Sequence, residues 1–251
     1  MTIYTCNPDW ESILTCIYEA FAGKKGHKNI KLLLEPIDQY TLFDEYIHVD
    51  KDYKKAQKVM DSINQKISPH VYSELVYSSM AYESDIPDII YRILLLGFNM
   101  GPSVLDMVQY RDVMRFNQIR KRVGNEAHSF YEFTRFNEVR KSLYVAHIEP
   151  KSRIVLALAP HFSDRMPSEN WMIVDDVHCE AIVHPANEHY YLQHLSENEL
   201  NSLKQTEQYN DEYTDMWKVF FDTIAIKERA NVACQRNLFP EWKRKHATEF
   251  M

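Results

Sequence analysis

The chain has 251 residues, of which 45% are hydrophobic and 26% charged, and a net charge of −7. That length suffices to bury a full core, and no apolar run approaches the ~20 residues a membrane helix needs, so a span is not expected. The acidic balance opposes non-specific attraction to nucleic acid, and the five glycines leave no GxGxxG, GxxxxGK[ST] or GxSxG pattern, which argues against P-loop NTPases, Rossmann dehydrogenases, protein kinases and α/β-hydrolases.

In chain order, Thr2 to Cys6 alternates like a short strand, and Asn7-Pro8-Asp9 reads as the start of a helix carrying Ile13, Leu14, Ile17 and Phe21 on one face up to Gly23. Ile30 to Leu34 and Tyr46 to Val49 are strand-like. From Lys51 to Met107 the period is helical, with joints at Pro69 and Pro87. Asp106 to Phe130 reads as one long helix whose stripe Phe116, Ile119, Val123, Ala127, Phe130 faces a core. Its second stripe of Arg111, Arg115 and Arg122 is either a solvated face or a phosphate-contacting ridge.

After Phe130 the period falls to two, and Phe133, Arg135 and Val139 are expected on one strand face. Leu143 to Glu149 continues as strand. A short helix from Arg153 to Met166, broken near Pro160, precedes a hairpin of Trp171–Asp175 and Cys179–His184 and a strand at Tyr190–Leu195. The tail is helical. The expected fold is α+β: a helical N-terminal half, a central antiparallel sheet of four to five strands and closing C-terminal helices. It reads as a single domain, 1–251, with a sub-boundary near residue 108 between a mostly helical part and a sheet-containing part.

Cys6, Cys16, Cys179 and Cys234 form no CxxC pair, so free thiols are expected rather than a thiolate metal site or a cluster. His178 and His184 with Asp175 match no recognised metal spacing, and neither metal nor cofactor is expected. The opening MTIYTCNPDWES lacks a basic n-region and an apolar h-region, which makes the cytoplasm the default.

The candidate chemistry gathers between Glu126 and Asp176. Arg135 on a half-buried strand needs an anion, supplied either by a carboxylate of the fold or by a ligand in a cleft. His161 and Arg165 are four apart on one helix face. His161, placed near a helix start where the dipole disfavours the imidazolium, can serve as a base. Asp175 shares the inward face of Trp171 and is either a partner for Arg135 or Arg165, or a turn-forming Asp. Trp171 with Tyr131, Tyr144 and Phe136 is either core or a set of base-stacking rings beside the arginines. In the tail, Lys227, Arg229 and Arg236 cluster, and Asn231 is a helix cap.

EAHSF, LYVAHIEP, LAPHFSDRMP, WMIVDD and TIAIKERAN, in that order, together with the opening IYTCNPDWESILTCIYEAF, resemble the bacterial family described as "probable DNA metabolism protein". The resemblance implies a role in DNA repair or modification beside a radical SAM protein. In some members of that family the domain is joined to a uracil-DNA-glycosylase-like domain, and this chain looks like the stand-alone form. The positions that match its motifs are Glu126, His128, Arg135, His161, Arg165, Trp171, Asp175, Arg229 and Asn231, with His178 standing where the family usually has an arginine. Three readings stay open. The first is an accessory protein holding DNA through Arg135, Arg165, Arg229 and Trp171, with Arg115 and Arg122. The second is an enzyme acting on a nucleotide, with His161 or His128 as base and Asp175 orienting it. The third is a scaffold without a site. The oligomeric state is not legible.

Overall fold

The computed structural model describes residues 1–37, 39–204, 212–224 and 231–250. The chain forms two compact units, Met1–Gly124 and Asn125–Met251.

In the first unit, β1 (Thr2–Cys6) is buried along its whole length and lies between β2 (Ile30–Leu34) and β3 (Glu45–His48), both parallel to it. Burial on both faces is what a central parallel strand requires. Helix α1 (Trp10–Ala22) begins at Asp9, whose carboxylate accepts from the Ser12 amide at 3.1 Å, and it buries Ile13, Leu14 and Ile17. Helices α2 (Tyr53–Lys66) and α3 (Pro69–Ser79) are capped by Asp52 and Ser68, and Pro69 sits in the first turn of α3. Helix α4 (Ile86–Met100) packs on β2. There Arg92 reaches the Ile30 carbonyl at 2.6 Å and Asp88 at 3.2 Å, while Asp88 accepts from the Leu32 amide at 3.2 Å. The stretch Ile86–Asp106 has the length and hydropathy of a membrane span. Its residues Ile86, Ile89, Ile90, Ile93 and Leu94 are buried in this unit's own core.

Helix α5 (Arg111–Phe133) buries the stripe Phe116, Ile119, Val123, Ala127 and Phe130, as the spacing predicts. The second unit continues with β4 (Asn137–Arg140), β5 (Leu143–Ile148), α6 (Val155–Arg165), β6 (Asn170–Asp175), β7 (Glu180–His184) and β8 (Tyr191–His194), then α7 (Glu197–Lys204), α8 (Glu212–Ile224) and α9 (Val232–Leu238). The five strands lie in chain order in one sheet. Pairs β4/β5, β6/β7 and β7/β8 are antiparallel, whereas β5/β6 is parallel, with α6 as the crossover between them. Val145, Val174, Ala181 and Leu200 form a core on this sheet.

The α+β architecture and the five strands of the sheet are as the sequence implies, but the sheet is mixed rather than antiparallel, because the crossover helix α6 brings β6 back parallel to β5; three refinements follow. The helical first half also holds a three-stranded parallel sheet. Helix α5 runs on to Phe133 and β4 starts only at Asn137, so Arg135 is in the intervening turn and not on a strand face. The extra helical turn is held by the Thr134 amide and hydroxyl, which donate to the Phe130 carbonyl at 3.1 and 2.6 Å. Phe133 itself stacks on Phe239 at 3.7 Å. Finally, Pro160 lies inside α6 without breaking it, which places His161 in the second half of that helix and removes the dipole argument for its neutrality.

Candidate functional site

On α5, turning Ala127 and Phe130 inward leaves His128, Tyr131 and Glu132 on an adjoining face, and Arg135 follows two residues past the end of the helix. On α6, burial of Leu158 and Phe162 does the same for His161 and Arg165. These residues, with Thr134, Phe136, Phe162, Met166 and Trp217 of α8, line a cavity of about 760 Å³, a volume in the range of small-ligand sites.

One wall is aromatic. Tyr131 donates its hydroxyl to the Ala157 carbonyl at 2.9 Å, and its ring stacks on His161 at 4.8 Å. Burial pushes the Tyr131 phenol up from its ordinary value, so it stays protonated. His128 meets the Tyr131 ring edge-on at 6.4 Å, and its Nε2 is 3.3 Å from Glu132. Phe136 packs edge-on against Phe162 at 5.2 Å.

Another part of the lining is an ion pair. Arg135 reaches both oxygens of Glu249, Nη2 to Oε1 at 2.6 Å and Nε to Oε2 at 3.2 Å, and Nη1 donates to the Glu132 carbonyl at 2.8 Å. The guanidinium sits over the Trp217 ring at 5.4 Å, and Trp217 Nε1 donates to Glu249 Oε2 at 3.2 Å. Burial alone would raise the Glu249 carboxyl and is the largest single influence, but the hydrogen bonds from Arg135, from the backbone amide of Glu249 and from Trp217, together with the charge of Arg135, outweigh it and hold the group below the usual carboxylate range. Arg165, by contrast, is exposed on the rim and makes no ion pair among the described residues. The cavity thus offers one cation already engaged, one open to an anion, and stacking surfaces between them.

Of the expected residues, His128, Arg135, His161 and Arg165, with the expected stacking rings Tyr131 and Phe136, therefore meet in one cavity. Asp175, Trp171, Arg115 and Arg122 do not line it. Asp175 is inward and fully buried, but it serves the hairpin turn. Its Oδ1 accepts from the Val177 and His178 amides, both at 3.0 Å, and its Oδ2 is 2.7 Å from His178 Nδ1. It does not line the cavity, so the expected pairing of Asp175 with His161, His128, Arg135 or Arg165 is not formed. His178, at the position where the resembling family has arginine, takes the partner's place beside Asp175. Trp171 is core: it is buried, stacks on His184 at 4.8 Å and donates to the Met166 carbonyl at 3.2 Å. In the first unit, Arg115 pairs with Asp85 at 2.7 Å, and Arg122 pairs with Glu83 and lies over Tyr82 at 4.9 Å, so this ridge is held by carboxylates of its own unit. Arg229 and Lys227 lie outside the described residues, while Asn231 caps α9 through the Cys234 amide at 3.0 Å. All four cysteines are free thiols.

Sequence reasoning missed Glu249 and Trp217. Glu249 stands 114 residues from Arg135, and no local pattern marks it. Trp217 belongs to a helix whose apolar side chains, such as Val219 and Phe220, are exposed, so its spacing did not set it apart.

No curated protein matches the chain. A family model described as a domain of unknown function matches residues 84–249, which takes in every described cavity residue and more than half of the sequence. The chain belongs to this family, DUF4130.

Proposed function

We propose that the protein is a DNA-repair or DNA-modification accessory factor, acting in the cytoplasm. It would hold a nucleotide of DNA in the cavity of its second unit while a radical SAM partner does the chemistry. The observation that carries the reading is the pairing of an uncommitted guanidinium, Arg165, with the exposed His161 ring stacked on Tyr131. A phosphate needs the first and an unstacked base the second. The DNA class and the partner come from the resemblance of the sequence motifs. An enzyme built on a His161–Asp175 pair is the weaker reading, because Asp175 is engaged by the hairpin turn.

The test is fluorescence anisotropy with a short single-stranded oligonucleotide at low salt, with the protein alone and with the partner. Arg165→Ala is expected to weaken binding about tenfold, the value of a charge-assisted hydrogen bond. It should also lower the salt slope by about one. The arginine is exposed, so its melting temperature should not move. Absence of binding at low salt, both with and without the partner, sinks the proposal.

A further inference from the structure

Strands β5 and β6 are the parallel pair of the second sheet, and side chains leaving the carboxyl ends of adjacent parallel strands converge on one end of a sheet. His147 and Glu149 leave β5 two residues apart, on one face. Asp176 follows β6 directly, pinned by its amide bond to the Ile148 carbonyl at 3.0 Å. The tail brings His246 to the same place, with Nε2 at 3.6 Å from Glu149 Oε1 and 3.9 Å from Asp176 Oδ2.

We propose that this cluster is a binding site for one divalent first-row ion, Zn²⁺ by preference, held by Glu149, Asp176 and His246 and backed by His147. The donor atoms of Glu149, Asp176 and His246 lie within 4.8 Å of one another. Donors bound to an ion at about 2.0–2.2 Å are roughly 3–3.5 Å apart, so the most widely separated donors must approach by at most about 1.8 Å to close on an ion, a movement within reach of these side chains. The Asp176 side chain is 2% exposed, and a carboxylate so far from water needs a cation or a set of donors. His147 supplies part of that need, since its Nδ1 is 3.1 and 3.2 Å from the two Asp176 oxygens. This imidazole is itself buried, and its Nε2 has no hydrogen-bond partner among the described residues. Nδ1–H donation to Asp176 is thus its one directed interaction of that kind. A hydrogen bond that orients a ligating group is the usual support of a metal centre. The ammonium of Lys245 touches Glu149 Oε1, and its side chain is 62% exposed, so an ion at this place competes with a solvent-facing cation. One imidazole with two carboxylates suits a borderline ion; Mg²⁺ and Ca²⁺ prefer oxygen alone. Three protein ligands leave a position open to water or substrate, as catalytic centres do.

The test uses the untagged full chain, stripped with a chelator and titrated calorimetrically with ZnCl₂ and, separately, MgCl₂. One Zn²⁺ per chain is expected, with Mg²⁺ far weaker. His246→Gln and Glu149→Gln, both partly exposed positions whose folding is checked by circular dichroism, should each weaken Zn²⁺ by more than about 100-fold, and His147→Gln by about 10–100-fold. Lack of saturable Zn²⁺ binding by the wild type overturns the proposal. So does undiminished affinity in both His246→Gln and Glu149→Gln, or Mg²⁺ binding as tightly as Zn²⁺.

Discussion

Arg135→Ala is expected to destabilise the second unit by about 3 kcal/mol, near the low end of what removing one partner of a buried pair costs. The asymmetry of the pair sets the number. The Glu249 side chain is 3% exposed and the Arg135 side chain 22%, so losing the arginine strands a carboxylate away from water with only neutral donors, Trp217 Nε1 at 3.2 Å, the Thr248 hydroxyl at 3.4 Å and its own amide. Losing the carboxylate leaves a guanidinium that still has the Glu132 carbonyl at 2.8 Å and some solvent. Glu249→Ala should therefore cost less, about 2 kcal/mol, and the double change Arg135→Met with Glu249→Leu should be nearly neutral because no charge is left buried. Urea denaturation of the four proteins measures this. A loss below about 0.5 kcal/mol for Arg135→Ala, the size of an ordinary surface change, would mean that the pair is solvated in solution.

The same pair predicts a pH dependence. The folded Glu249 carboxyl lies below its ordinary range, held there by Arg135 against the effect of burial, while in the unfolded chain it titrates near about 4.3. A depressed folded value means that the stabilisation is fully present above the unfolded value and is lost as pH falls through the folded one. The stability gap between wild type and Glu249→Gln should be widest near about pH 7 and shrink toward about pH 3. A gap that stays constant over that interval would show that Glu249 is not held ionised by Arg135.

Asp175→Ala should cost a similar amount, about 3 kcal/mol, for a different reason. The carboxylate is fully buried and holds two backbone amides and one imidazole across the β6–β7 turn, and truncation leaves buried donors without an acceptor. Asp175→Asn keeps an oxygen for the amides but loses the charge and puts an NH2 group where an oxygen met His178 Nδ1, so about 1–2 kcal/mol is expected. Because Asp175 does not line the cavity, folded Asp175→Asn should bind oligonucleotide like the wild type. Selective loss of binding in that variant, at unchanged melting temperature, would instead place Asp175 in the site.

These residues show where local pattern stops being informative. Features that depend on near neighbours could be read from the residues alone. Caps at Asp9 and Asn231, the proline joint at Pro69, the buried stripe from Phe116 to Phe130, the β6–β7 hairpin and the shared face of His161 and Arg165 all follow from spacing along one element, because helix and strand periods put i, i+2, i+3 and i+4 in known places. What those faces meet depends on packing between distant segments. Parallel pairing of β1 with β2 and β3, and of β5 with β6, is joined through long connections and leaves no turn signal to read. The partner of Arg135 is a glutamate 114 residues away, and Asp175 turned to its own hairpin although the inward face was read correctly. Likewise, His246 reaches Glu149 and Asp176 only because the tail folds back to the ends of β5 and β6. A buried charge announces that it needs a partner; which group answers is set by packing between distant segments, and that information is spread over the whole chain.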